Sequence, residues 1–212
     1  MTITPEVAVS NAAPSTKEEL LAAARALQPL LREHAEQIEH DRKLPPAVAE
    51  KLEETGLWRM RRPKQRGGLE LSVHDQVEIT SELAKGCPST GYMVAMLNGT
   101  ELFHAIYSEE TQEEFYRDPR ARSAVVFRPS SDAKRVDGGW IVSGKWPYAT
   151  GCMSATHADV DFWRVDENGV RYRQESFAAR PGTTLVSYVR LEIDARKATR
   201  AVTVRFAPGA SY

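Results

Sequence analysis

Residues 123–151 read SAVVFRPSSDAKRVDGGWIVSGKWPYATG, and this stretch decides the fold. Val125, Val126 and Phe127 are β-branched or aromatic, as strands prefer. Asp137-Gly138-Gly139 is a turn signal between the runs Ala133 to Val136 and Trp140 to Val142, so a hairpin is predicted. Pro147 cannot donate to a ladder, and the strand is expected to end or bulge there. Trp146, Tyr148 and the Thr150 hydroxyl then stand at a strand end, partly exposed, where a flat ring can lie against them. From the stretch alone, core packing is the stronger reading, because aromatic side chains mostly supply buried area.

Outward from it, the chain divides. Residues 1–118 hold 13 Lys and Arg against 20 Asp and Glu, a net −7, whereas residues 119–212 carry a net +6. The pattern changes from helical to strand-like at Asp118-Pro119, which is taken as the boundary. The overall net charge of −1 argues against nucleic acid as the main partner. No apolar run approaches the roughly 18 residues of a membrane span, and residues 1–14 read as a flexible tail rather than a secretory signal. Cys87 and Cys152 form no ligand cluster and read as free thiols of a cytoplasmic protein. No metal set is expected.

The first half reads as helices. Ser15 with Glu18 forms a capping box, and Leu20, Ala24, Leu27, Leu31 and Ile38 make one apolar stripe, which Pro29 is expected to kink or split. A second helix starts at Pro45-Pro46 and stops at Gly56. Arg59, Arg61, Arg62, Lys64 and Arg66 follow in a loop and read as a solvated face. Ser72 caps a third helix. Pro88 opens a fourth, apolar nearly all round and so expected to be buried, and Ser108 caps an acidic fifth. His34, His40 and His74 read as surface residues and His157 as structural. Asp159 and Asp161 share a strand face, and acid–base use is not assigned to them.

Four blocks, in this order, resemble the acyl-CoA dehydrogenase superfamily: LPPAVAEKLEETGLWRMRRPKQRGGLELS, SELAKGCPSTGYMVAML, SEETQEEFYRDPRARS and AKRVDGGWIVSGKWPYATGC. They look most like its group D branch, the oxygenase components of two-component flavin monooxygenases that hydroxylate aromatic or steroid substrates. The resemblance covers about residues 17 to 160 and reverses the core reading of Trp146 and Tyr148. It implies an α+β architecture: a helical domain over 15–118, then an antiparallel β-barrel over 119–182 with a flavin against one end. By position it implies that Trp146, Tyr148, Ala149 and Thr150 lie against the flavin, Thr150 near N5. Phe127, Pro129, Ser130 and Ser131 fall at the other contacting strand end, and Asn98, Thr100 and His104 fall toward substrate. The implied cofactor is reduced FMN or FAD delivered by a separate reductase, and full-length relatives are expected to be homo-oligomers. A hydroxyl and a dry, aromatic wall suit oxygen chemistry on a reduced flavin.

The sequence departs from the pattern in places. Phe127-Arg128-Pro129 stands where the dehydrogenases have Thr-Glu-Pro. This disfavours the alternative of an FAD dehydrogenase acting on a CH–CH group. Asn98, Gly99 and Thr100 occupy the region where phenol hydroxylases often carry a His. Residues 183–212 alternate like strand and do not resemble the family's C-terminal bundle, so a truncated member is expected, with a non-catalytic remnant as the reading from another class.

Overall fold

The computed structural model describes residues 16–105, 107, 109–128, 132–136, 139–142, 146–165, 168 and 171–174. The expectations placed on residues 1–14, Ser108, Pro129, Ser130, Ser131 and 183–212 lie outside the described residues.

The apolar stripe on the first helix sets the helical layer. Helix α1 (Lys17–Asp41) buries Leu20, Ala24, Leu27, Leu31 and Ile38, the periodic set. Its capping box sits one residue later than expected, with Thr16 as N-cap and Glu19 closing back onto the Thr16 amide at 3.0 Å. Nor does Pro29 break it; α1 runs through. Pro29 and Arg25, whose carbonyl loses its helical donor, are both on the exposed side, where water can take the bond.

Helix α2 (Pro46–Glu54) ends as Gly56 turns left-handed at φ 71°. Helix α3 (Val73–Ala84) packs on α1, and α4 (Pro88–Gly99) packs on α3. Gly91 allows close approach, since a Cβ there would lie 2.7 Å from the Ala84 Cβ. Leu52, Ile79, Leu83, Val94 and Leu97 join the α1 stripe in one core, and each such side chain contributes about 1.5–3 kcal/mol. Contrary to the expectation of a buried helix, α4 leaves Tyr92 exposed. The basic run is not wholly solvated either: Arg62 is buried. Short helices α5 (Glu101–His104) and α6 (Glu109–Tyr116) lead into the sheets.

Strand β1 (Ser123–Val126) pairs in parallel with β4 (His157–Val160). A second sheet takes the order β3-β2-β5-β6, from β2 (Asp132–Val136), β3 (Gly139–Val142), β5 (Phe162–Val165) and β6 (Arg171–Gln174). The predicted hairpin is present: β2 and β3 are antiparallel, with Val136 opposite Gly139. The sheets are mixed rather than antiparallel, because β2–β5 is also parallel, and among the described residues they do not close. The chain passes through β2 and β3 between β1 and β4, and through β3 and β4 between β2 and β5, and such crossovers allow parallel pairing where a tight turn does not. No helix among the described residues is long and apolar enough to cross a membrane.

Candidate functional site

After β3, the chain makes a loop over 146–154 that is pinned from beneath at three places. Trp146 Nε1 donates to the Asp161 carbonyl at 2.7 Å. Gly151, at φ 76°, lies so close to α4 that a Cβ would stand 2.9 Å from the Leu97 side chain. Arg122 Nε donates to the Ser154 carbonyl at 2.6 Å, while its Nη1 meets Glu53 at 2.7 Å and its guanidinium lies over Trp58. Inside the loop, Thr150 N–H bonds the Tyr148 carbonyl at 2.8 Å, and Cys152 N–H bonds Ala149 at 3.1 Å.

These ties divide the two aromatics that the sequence had placed together at a half-exposed edge. Trp146 is 2% exposed, so its expected partial exposure is corrected: its indole N–H needed a buried acceptor and found one at Asp161, between β4 and β5. Tyr148 is 94% exposed and has φ 62°, a left-handed value uncommon for a bulky residue. Such strain persists where the surroundings over-determine it, and the neighbouring pins do so. Ala149 and Thr150 are half-buried beside it. Phe127, after β1, is 44% exposed and meets the Phe103 ring edge-on at 5.3 Å. Trp146, Tyr148, Ala149 and Thr150 line one cavity of about 620 Å³, whose far side is the end of α1 and the first turn of α4. That volume is of ligand size.

Asn98, Thr100 and His104, expected toward substrate, do not line this cavity. Asn98 is fully buried; its amide donates to the Leu57 carbonyl at 2.8 Å and the Val94 carbonyl at 3.0 Å, and its oxygen accepts from Arg61 N–H. Thr100 donates back to the Leu97 carbonyl at 2.7 Å. His104 belongs to a buried charge network that sequence reasoning missed. Its Nε2 lies 3.1 Å from Asp159 Oδ2 and 2.8 Å from Ser123 Oγ, and Ser123 donates to the same Asp159 oxygen at 2.5 Å. On the other side, Nδ1 is 3.7 Å from Glu101 Oε2, which accepts from Tyr116 at 2.5 Å. Arg62 Nε is 3.4 Å from Glu101 Oε1, and the guanidinium also donates to the Pro119 and Ala121 carbonyls.

The charges alternate: Arg62, Glu101, His104, Asp159. Burial works against the His104 imidazolium, but Asp159 and then Glu101 outweigh it and raise His104 to about 9. Burial likewise opposes the Asp159 carboxylate, yet His104 holds it below its ordinary value. His157, packed on Phe115, is lowered by burial. The Ser123, His104 and Asp159 contacts are not a nucleophilic triad. Serine and aspartate share one ring nitrogen, whereas a triad needs them on opposite nitrogens, and Ser123 is fully buried. His74, Asp75 and Glu78 form a group of cation-ligand type on α3, but Lys17 sits on it, 2.8 Å from Asp75 and in contact with Glu78.

Residues 15–119 match the family described as acyl-CoA dehydrogenase, N-terminal domain. The oxygenase subunit HsaA of a flavin-dependent monooxygenase from Mycobacterium tuberculosis (strain CDC 1551 / Oshkosh) is 33% identical over 141 residues, 66% of this chain and 36% of the relative. The oxygenase component of p-hydroxyphenylacetate 3-hydroxylase from Acinetobacter baumannii is 31% identical over 151 residues, 71% of this chain and 36% of that protein. XiaF from Streptomyces sp., solved in complex with FADH2 and glycerol, superposes with a TM-score of 0.71 at 26% identity, over 91% of this chain and 50% of XiaF. The chain thus spans about a third of these curated relatives and half of the solved structure.

Proposed function

We propose a function from one premise: the chain belongs to the acyl-CoA dehydrogenase superfamily and is most like its flavin-dependent monooxygenase oxygenase components. The loop 146–154 is the flavin-facing wall of such a component. The protein takes reduced FMN or FAD from a separate flavin reductase and hydroxylates an aromatic small molecule. The two sheets are the described parts of a β-barrel domain over 119–182, the helical domain occupies 15–118, and the full-length protein works as a cytoplasmic homo-oligomer.

One observation carries this reading: a loop fixed from below presents an almost fully exposed, strained Tyr148 beside a half-buried Thr150 over a cavity of ligand size. The residues fit a flavin. Tyr148 offers a ring face to stack on, Thr150 a hydroxyl for a ring nitrogen, and Trp146 an apolar floor held in one orientation by its bond to Asp161. When bound, the flavin supplies the oxygen-activating redox chemistry. The chain's own residues orient it and keep water away from one face. Phe127 extends the wall from the end of β1. Asn98, Thr100 and His104 hold the scaffold, since their polar partners are already within the protein. Substrate is assigned to the cavity.

The test supplies the full chain with chemically reduced FMN or FAD, oxygen and a panel of phenols, and analyses products by mass. A phenol gaining one oxygen, dependent on reduced flavin, is the expected result. Peroxide release alone, with no flavin bound, would overturn the reading.

A further inference from the structure

We infer that the cavity beside loop 146–154 is built for an aromatic ligand with an anionic end group, held between the first turn of α4 and the Arg42-Lys43 pair. The inference rests on the reading of that loop as a ligand-facing wall. It adds where the charge goes.

Helix α4 starts without a side-chain cap: Cys87 is the N-cap and makes no capping bond, and Pro88 has no N–H. The amides of Ser89 and Thr90 therefore lie at an open, partly positive helix end. A bare helix start is common. Here it comes with a second feature: Thr90 is 0% exposed and stands at the cavity wall, and its hydroxyl has no hydrogen-bond partner. A buried hydroxyl left unpaired is destabilising, and a ligand acceptor would satisfy it.

Across the cavity, α1 ends at Arg42, whose φ of 53° turns the chain back, and Lys43 follows. Both are exposed, and neither closes an ion pair among the described residues. Glu39 lines the same rim, so the charged lining is two cations against one anion, an excess of one positive charge. Between these ends the walls are apolar, with Ile38, Leu44 and Met93 facing Trp146. An aromatic body thus fits the middle and a carboxylate or phosphate the end.

That anion has two sources, the phosphate of the flavin or the acid group of a substrate, and paired ligands separate them. Quenching of tryptophan fluorescence in the full chain is titrated with FMN against riboflavin, and with 4-hydroxyphenylacetate against its neutral amide. At low salt the anionic member of at least one pair is expected to bind about fivefold tighter or more. That gap should shrink as salt is added. It should also close in the R42Q/K43Q double variant, both exposed positions, and narrow in T90V, which keeps the side-chain shape.

If FMN and riboflavin both fail to bind while the acid outbinds its amide, the flavin reading falls and the anion pocket stands. Equal binding of neutral and anionic members in both pairs, no binding in either pair, or a gap that survives R42Q/K43Q would overturn the inference.

Discussion

Two polar regions of this molecule were finished differently. In the buried network, Arg62, Glu101, His104 and Asp159 pair with one another and with backbone carbonyls, and all are nearly inaccessible. Around loop 146–154, Tyr148 stands in the open, Thr90 has no partner and a cavity is left. Both regions sit where helices meet strands, and both use left-over polar groups of apolar elements. The difference separates what holds the fold from what is offered to a ligand. A chain of ion pairs held inside fixes the docking of α5 and α6 on β1 and β4. A strained aromatic fixed only from beneath is available for contact.

Breaking the network should have the largest effect. Asp159→Asn leaves the His104 imidazolium buried without its counter-charge, and unfolding in urea should show a loss of about 3–5 kcal/mol. Next comes pH. The folded pKa of His104 is raised to about 9 from 6.5, so its contribution is complete below the unfolded value and is lost as pH rises through about 9. From that shift the loss amounts to about 3 kcal/mol. Asp159 is shifted down, so its contribution is present above the ordinary carboxylate value and lost as pH falls into the acid range. Stability measured by chemical unfolding at stepped pH should therefore plateau between the ordinary carboxylate range and about 6.5 and fall on both sides. An alkaline flank that persists in His104→Gln would assign it to another group.

On the loop, Gly151→Ala meets both a left-handed φ and the Leu97 side chain, and should lower stability by about 1–3 kcal/mol in the same urea assay. Tyr148→Ala comes last. At 94% exposure its removal should move stability by less than about 0.5 kcal/mol. If Tyr148→Ala proved as destabilising as Gly151→Ala, the contrast between the two regions would collapse.

The sequence made one region legible and concealed the other. The turn at 137–139, the strand end at Pro147 and the small residue at Gly151 are local signals, and the loop follows from them. The α1 stripe was equally plain, because periodicity survives even an exposed Pro29. The network joins residues 39 and 55 positions apart, so no spacing rule could bring Arg62 to Glu101 or His104 to Asp159. Arg62 lay inside a basic run that reads as surface, and the histidine nearest Asp159 in sequence, His157, is not the one that it pairs with. The only available sign was a His and a Glu one turn apart on an otherwise apolar stretch, Glu101 and His104. Trp146 was misplaced for a related reason: the acceptor for its N–H is on Asp161, across the sheet connection.

The most direct test of the account is an anaerobic titration of reduced FMN and FAD into the full chain and its Tyr148→Ala and Thr150→Val variants, followed by the flavin absorption band. The account predicts a saturable perturbation in the wild type. It also predicts binding weakened by about fivefold in Tyr148→Ala, in line with the roughly 1 kcal/mol that an aromatic contact adds beyond burial, at unchanged melting temperature. Binding that is absent in the wild type, or identical in all three proteins, would contradict the claim that this loop faces a flavin.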